Sequence, residues 1–138
     1  MSTAALADGR ASKASADQVG ERVLGSALRV HRALGPGLLE TVYEACLAHE
    51  LVKSGLGVKR QLNMPVVYDG VVLEAGYRLD MLVEDCVVVE VKAVEKLADI
   101  HRAQLLSYLR LGGYRLGYLL NFNSPLLKDG IRRLANDL

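Results

Sequence analysis

The sequence predicts an α/β domain in which helices flank a mixed central sheet built around an antiparallel meander. Three observations carry this reading. Two stretches of helical apolar periodicity come before residue 58, and a succession of Val- and Leu-rich runs broken by turn signals follows them. A third helical pattern over residues 98–111 then separates the meander from a last apolar run. A helix between two strands is long enough to let them run parallel. With 138 residues, 51% of them hydrophobic, the chain can bury one core, and a single domain is expected.

Residues 1–15 are small, polar and aperiodic, and a disordered tail is expected there. Over residues 17–34 the apolar positions Val19, Val23, Leu24, Ala27, Leu28, Val30 and Leu34 recur at helical spacing. His31, near the end of that helix, suits the helix dipole or packing against the next helix. Gly35-Pro36-Gly37 stops the helix, since neither residue type favours its continuation. A second helix is expected over residues 38–53, with Leu39, Val42, Tyr43, Cys46, Leu47 and Leu51 as its buried stripe. Glu40 lies beside that stripe, next to Tyr43 on the helix surface. A carboxylate in the first turn is explained by the helix dipole as readily as by function.

Residues 58–68 read as a strand interrupted at Pro65, and therefore as an edge strand or a bulged one. Asp69-Gly70 is a hairpin signal and residues 71–77 return. Residues 79–83 and 86–94 read as apolar strands joined at Glu84-Asp85, and with the first hairpin they make an antiparallel meander of three strands, or of four if Pro65 splits the first. Gly112-Gly113 ends the helix of residues 98–111, and residues 114–122 form a strand able to lie parallel to one of the meander strands. Asn123-Ser124-Pro125 turns, and a short final helix carrying Lys128, Arg132 and Arg133 is expected from about residue 126 to 135.

A net charge of +1 with 24% charged residues does not announce nucleic-acid binding, so that claim needs local clustering. Cys46 and Cys86 fall inside apolar patterns without metal-ligand spacing and read as buried hydrophobes, in keeping with a reducing cytoplasm. No apolar run reaches the length of a membrane span, and the acidic residues near the start argue against a secretory leader.

Three charges interrupt the most apolar stretch, residues 77–92. Asp80 lies in one strand, and Glu90 and Lys92 lie in the next on a shared face, because side chains alternate with period two. An unpaired charge in a dry interior is costly, so a buried strand holds an acid and a base only for a reason. Asp80 and Glu90 share a face only if the hairpin loop has odd length or carries a bulge. A two-residue turn would set Asp80 against Val89, so a three-residue turn or a bulge is expected. Two carboxylates and an ammonium then converge as a hard divalent cation such as Mg2+ requires, with positions left for water. A metal-free ion-pair network of the same three residues is the plainer alternative.

Helix, antiparallel meander with Asp then Glu-x-Lys, crossover helix and strand together resemble the core of the PD-(D/E)xK nuclease superfamily, the restriction-endonuclease-like fold. Here the motif is Asp80 followed by Glu90-Val91-Lys92, with Leu79 in place of the Pro that names it. Gly37-Leu38-Leu39-Glu40-Thr41-Val42-Tyr43 is similar to the signature of the bacterial GxxExxY proteins, a branch of that superfamily. Residues 31–37, 104–109 and 120–123 extend the similarity, which covers about residues 19–134. The resemblance implies a Mg2+- or Mn2+-dependent nuclease acting on DNA or RNA, DNA being favoured, and working as a homo-oligomer. It implies that Asp80 and Glu90 bind the metal, with the Val91 carbonyl as third ligand and Glu40 completing the shell or holding its waters. Lys92 would position or deprotonate the attacking water. Gln104 and Tyr108 match a Gln-x3-Tyr motif that orients the site or touches the substrate backbone. Lys59, Arg60, Arg78, Lys96, His101 and Arg102 could line a path for phosphates. The alternative is a catalytically inactive nucleic-acid-binding or assembly module on the same scaffold.

Overall fold

The computed structural model describes residues 13–136. Helix α1 (Lys13–Leu34) and helix α2 (Glu40–Lys53) precede strands β1 (Val58–Tyr68), β2 (Val71–Val83) and β3 (Val87–Lys92). Helix α3 (Asp99–Gly112), strand β4 (Leu116–Asn121), a single 3-10 turn (Leu127–Gly130) and strand β5 (Ile131–Ala135) complete the order. The five strands form one sheet in chain order, β1-β2-β3-β4-β5. Every neighbouring pair is antiparallel except β3 and β4, which α3 connects in parallel. Of the tail expected over residues 1–15, residues 1–12 lie outside the described residues, and residues 13–15 already belong to α1.

Helices α1 and α2 cover one face of the sheet and α3 the other. On the first face Val23, Ala27 and Val30 of α1 and Tyr43, Leu47 and Leu51 of α2 pack on Met81, Val83, Val87, Val89, Val91, Leu116, Tyr118 and Leu120. On the second, Leu105 and Leu109 of α3 pack on Leu79, Leu82, Val88 and Leu119. A Cβ at Gly117 would lie 2.9 Å from Leu105 Cδ1, so this glycine sets how closely α3 approaches β4. Among the described residues no helix is long and apolar enough to cross a membrane.

The inward face of α2 differs from the expected stripe. Leu39 is 73% exposed and Val42 is also exposed, while the buried residues are Tyr43, Glu44, Leu47, Ala48 and Leu51. Counting apolar residues passed over Glu44 because it is charged.

The end of the chain corrects another expectation. In place of a helix over residues 126–135 there is the 3-10 turn and then β5, which pairs with β4 from Leu120↔Ile131 to Leu116↔Ala135. Asp129-Gly130 is a turn signal rather than helix interior, and Gly130 is pinched. A Cβ there would meet Ser124 Oγ and, at 2.6 Å, the Asn121 carbonyl oxygen. The exposed Arg132 and Arg133 sit on this outer strand, where charge discourages edge-to-edge pairing. At the other edge, β1 carries the irregularity expected at Pro65, a register shift between Met64 and Val66. Cys46 is half-buried and Cys86 buried, and both are free.

Candidate active site

The β2–β3 hairpin sets the site. Its ladder pairs Val83 with Val87, Leu82 with Val88 and Met81 with Val89, which leaves Glu84, Asp85 and Cys86 as a three-residue loop. Glu84 and Asp85 both take positive φ (52° and 53°) to close it, and the Cys86 amide donates to the Val83 carbonyl at 3.0 Å. One step beyond Met81↔Val89, Asp80 and Glu90 come level, as the odd loop length requires.

At that step side chains replace the main-chain ladder. The Asp80 amide donates to Glu90 Oε2 at 2.9 Å, and the Val91 amide donates to Asp80 Oδ2 at 2.9 Å. Each carboxylate thus satisfies an amide that parted strands would otherwise leave orphaned in the interior. The alternation of β2 breaks at the same place. Leu79 joins the core under α3, whereas Met81, two residues on, joins the core under α1 and α2. The β1 residue level with Asp80 is Gln61, which adopts φ 50°. The chain turns over at this point, and the β2–β3 ladder ends.

Burial and neighbouring acids dominate the electrostatics. Glu90 is 6% exposed. Desolvation first, and then the charge of Asp80, push its carboxyl up to about 8. Asp80 is raised as well, mainly by desolvation, with Glu44 and Glu40 adding to the rise. Lys92 opposes both shifts. Its side chain leaves β3 on the same face as Glu90, two residues on.

This donor set fits a hard divalent cation. Two desolvated carboxylates of raised proton affinity, Glu90 raised further by the charge of Asp80, form a centre of surplus negative charge that a proton or a cation relieves. In an extended strand the N–H and C=O of one residue point to the same side. The Val91 amide reaches Asp80, and the Lys92 carbonyl accepts from Phe122 on the opposite side, so the Val91 carbonyl turns toward the cleft. Among the described residues no three acids, cysteines or histidines cluster tightly enough to cage an ion alone. Two carboxylates and one carbonyl leave the remaining positions to water, as Mg2+ accepts.

Glu40 reaches the same end of the sheet from the first turn of α2. Its Oε2 accepts from the Ala93 amide at 3.3 Å, next to Lys92. The turn before it is held by residues that had no assigned chemistry. The Tyr43 hydroxyl donates to the Gly35 carbonyl and accepts from the Leu38 amide, and Asn123 Oδ1 accepts from the Gly37 amide. The Tyr43 ring stacks on Phe122 at 4.8 Å, and His31 Nε2 donates to the Ser124 carbonyl at 2.8 Å. Asn121 clamps Val94 from both sides, accepting its amide and donating to its carbonyl. His31, Tyr43, Asn121, Phe122 and Asn123 therefore form the frame that presents Glu40 to the end of β3. Tyr43→Phe should lower stability by about 1–3 kcal/mol, because it removes the two hydrogen bonds by which this buried side chain ties Gly35 to Leu38. Urea unfolding with an unchanged m-value is the check.

A residue that sequence reasoning missed is Glu44, one helical turn beyond Glu40 and 6% exposed. Arg60 Nε and Nη2 hold its Oε2 at 3.1 and 3.0 Å, and Gln61 Nε2 donates to its Oε1 at 2.7 Å. Its charge reaches both Asp80 and Glu90. The available signal was the i,i+4 spacing of Glu40 and Glu44 on one helix face.

From α3, Tyr108 comes to the site. Its phenol is raised by burial and by the charges of Glu90 and Asp80, and its ring stacks on Tyr77 with centroids 4.8 Å apart. Gln104, four residues earlier, is exposed. Of the basic residues considered as a phosphate path, Lys59 is paired with Asp85 at 2.7 Å and Arg60 with Glu44. The His101 ring accepts from the Ala98 amide at the start of α3. Arg78, Lys96 and Arg102 remain exposed.

A mixed sheet flanked by helices, whose second hairpin delivers an Asp and a Glu-x-Lys into one cleft, defines the restriction-endonuclease-like class of α/β domain. The family model for the PD-(D/E)XK nuclease superfamily matches residues 17–134, and the chain belongs to that superfamily. No curated protein and no solved structure matches the chain.

Proposed function

We propose that this chain is a divalent-cation-dependent nuclease of the GxxExxY branch that hydrolyses phosphodiester bonds in DNA or RNA, DNA being the favoured substrate. One observation carries the reading: Asp80 and Glu90 meet in a desolvated cleft with surplus negative charge, and Lys92 opposes that charge on both. Asp80, Glu90 and the Val91 carbonyl would hold Mg2+ or Mn2+, with Glu40 ordering waters at its margin. Bound there, the cation supplies Lewis-acid polarisation of the phosphate and a water of lowered pKa. The amides of Asp80 and Val91 fix one oxygen of each carboxylate, and the second oxygen of each would serve the cation. Lys92 orients the attacking water and offsets the charge that builds on the phosphate oxygens. Glu44, held by Arg60 and Gln61, adds to the rise in proton affinity of Asp80 and Glu90. The same reading includes a homo-oligomer, since one small domain offers little surface to grip a duplex.

Purified protein should cut nucleic acid when Mn2+ or Mg2+ is present and not when EDTA replaces it. Single-stranded DNA, duplex DNA and RNA should be tried side by side. Binding without cleavage of any of them, in either metal, would favour the inactive module.

A further inference from the structure

Two of the basic side chains of this part of the sheet are already ion-paired. The chain carries a net charge of only +1, Arg60 is committed to Glu44, and Lys59, nearer the hairpin loop, to Asp85. The cleft itself gathers Asp80, Glu90, Glu40 and Glu44. Phosphate contacts supply most non-specific affinity in a basic protein. Lys92 at the carboxylates and the exposed Arg78, Lys96 and Arg102 can meet phosphates, and a hold of another kind close to the carboxylates would add to theirs.

The neutral group placed for that is Tyr108. Its ring lies near-parallel to Tyr77, with planes 16° apart. Tyr77 stands on β2 three residues before Asp80 and Tyr108 on the opposing helix, so the pair spans from sheet to α3 beside the cleft. Both rings pack against the core of Leu79, Leu105 and Leu109 and both stay partly exposed. The stack is thus anchored in the core and reaches the surface in part. An aromatic ring fixed in this way takes a nucleobase on its face with little ordering cost and without regard to base identity. Inside a duplex each base is already stacked on its neighbours, so only an unpaired base is free to settle there.

We propose that the Tyr77–Tyr108 stack is a base-binding platform beside the carboxylates, and that the nucleic acid this cleft takes is single-stranded, or unpaired next to the scissile phosphate. Tyr108 contacts the base and Tyr77 positions Tyr108. The assignment of a scissile phosphate rests on the nuclease reading, and the platform can be measured apart from it.

The test is binding in EDTA, where nothing is cut. A short oligothymidine containing one 2-aminopurine, and a hairpin duplex containing the same base, are titrated with wild type, Tyr108→Ala, Tyr108→Leu, Tyr108→Phe and Tyr77→Ala. Wild type should quench the single-stranded probe and bind it more tightly than the duplex. Tyr108→Ala and Tyr108→Leu should each reduce the single-strand to duplex affinity ratio roughly tenfold, as loss of one base–aromatic stack implies. Tyr108→Phe should keep the ratio, and Tyr77→Ala should lower it part of the way. Leu fills the space without an aromatic face, so a folding defect in the Ala variant does not decide the outcome. Equal affinity of wild type for both probes, a parallel loss on both in the variants, or a Phe variant as poor as Ala would overturn the platform. Single-strand preference in EDTA with no cleavage in Mn2+ would instead overturn the nuclease reading and leave the platform standing.

Discussion

Glu90→Gln should abolish metal-dependent cleavage and, without divalent cation at pH 8, leave the protein more stable than wild type. The two effects have one cause. A carboxyl whose folded pKa lies above its unfolded value holds a proton in the native state that the unfolded chain has released, so stability falls as pH rises between the two values. For Glu90 those values are 4.5 and about 8, and Asp80 is shifted in the same direction. The metal-free wild type should therefore lose stability progressively from about pH 4.5 to 8 and level off above that range. Gln cannot ionise, and its carbonyl still accepts the Asp80 amide, so the variant escapes the loss. At pH 8 the gain is on the order of a few kcal/mol. Cleavage should fall at least about a thousandfold, as removing roughly 4 kcal/mol of transition-state stabilisation implies. Thermal unfolding across pH in EDTA, beside single-turnover cleavage in Mn2+, reads both. A metal-free variant less stable than wild type at pH 8 would mean that Glu90 is a structural hydrogen-bond partner and nothing more.

Lys92→Met should have the opposite sign on stability and a similar sign on chemistry. Lys92 lowers the proton affinity of both Asp80 and Glu90. Without it both carboxyls rise further, and the metal-free protein should fall in stability at pH 8 relative to wild type. Cleavage should drop by about 10²–10³, the usual cost of removing one group aimed at developing charge. The acidic limb of the pH–rate profile should also move upward, because the carboxylates need a higher pH to release their protons. An unchanged limb with a reduced rate would place Lys92 on the substrate alone.

The sheet and the heart of the site were legible because their signals are local. The parity of the Glu84-Asp85-Cys86 loop followed from requiring Asp80 and Glu90 to meet, and Pro65 marked β1 as an edge strand with a broken register. What escaped depended on contacts distant in sequence. Glu44 is buried only because Arg60 and Gln61 on β1 neutralise and bond it, and nothing in α2 announces that partner. Residues 131–135 became a strand because β4 offered them an open edge, although their local pattern fits a short helix equally well. The reversal of β2 between Leu79 and Met81 runs against strict alternation, and a period-two reading has no means of foreseeing it. Tyr43 and Asn123 carry no chemistry of their own. They matter because they hold the turn from which Glu40 emerges.

The claim beneath all of this is that Asp80 and Glu90 together bind a divalent cation. The direct measurement is the thermal midpoint at pH 8 as Mn2+ is added to wild type, Asp80→Asn and Glu90→Gln. Binding to the native state alone raises the midpoint with ligand concentration. The wild-type midpoint should climb with Mn2+ while both variants stay flat. A wild type indifferent to millimolar Mn2+, or variants that climb in step with it, would contradict the account.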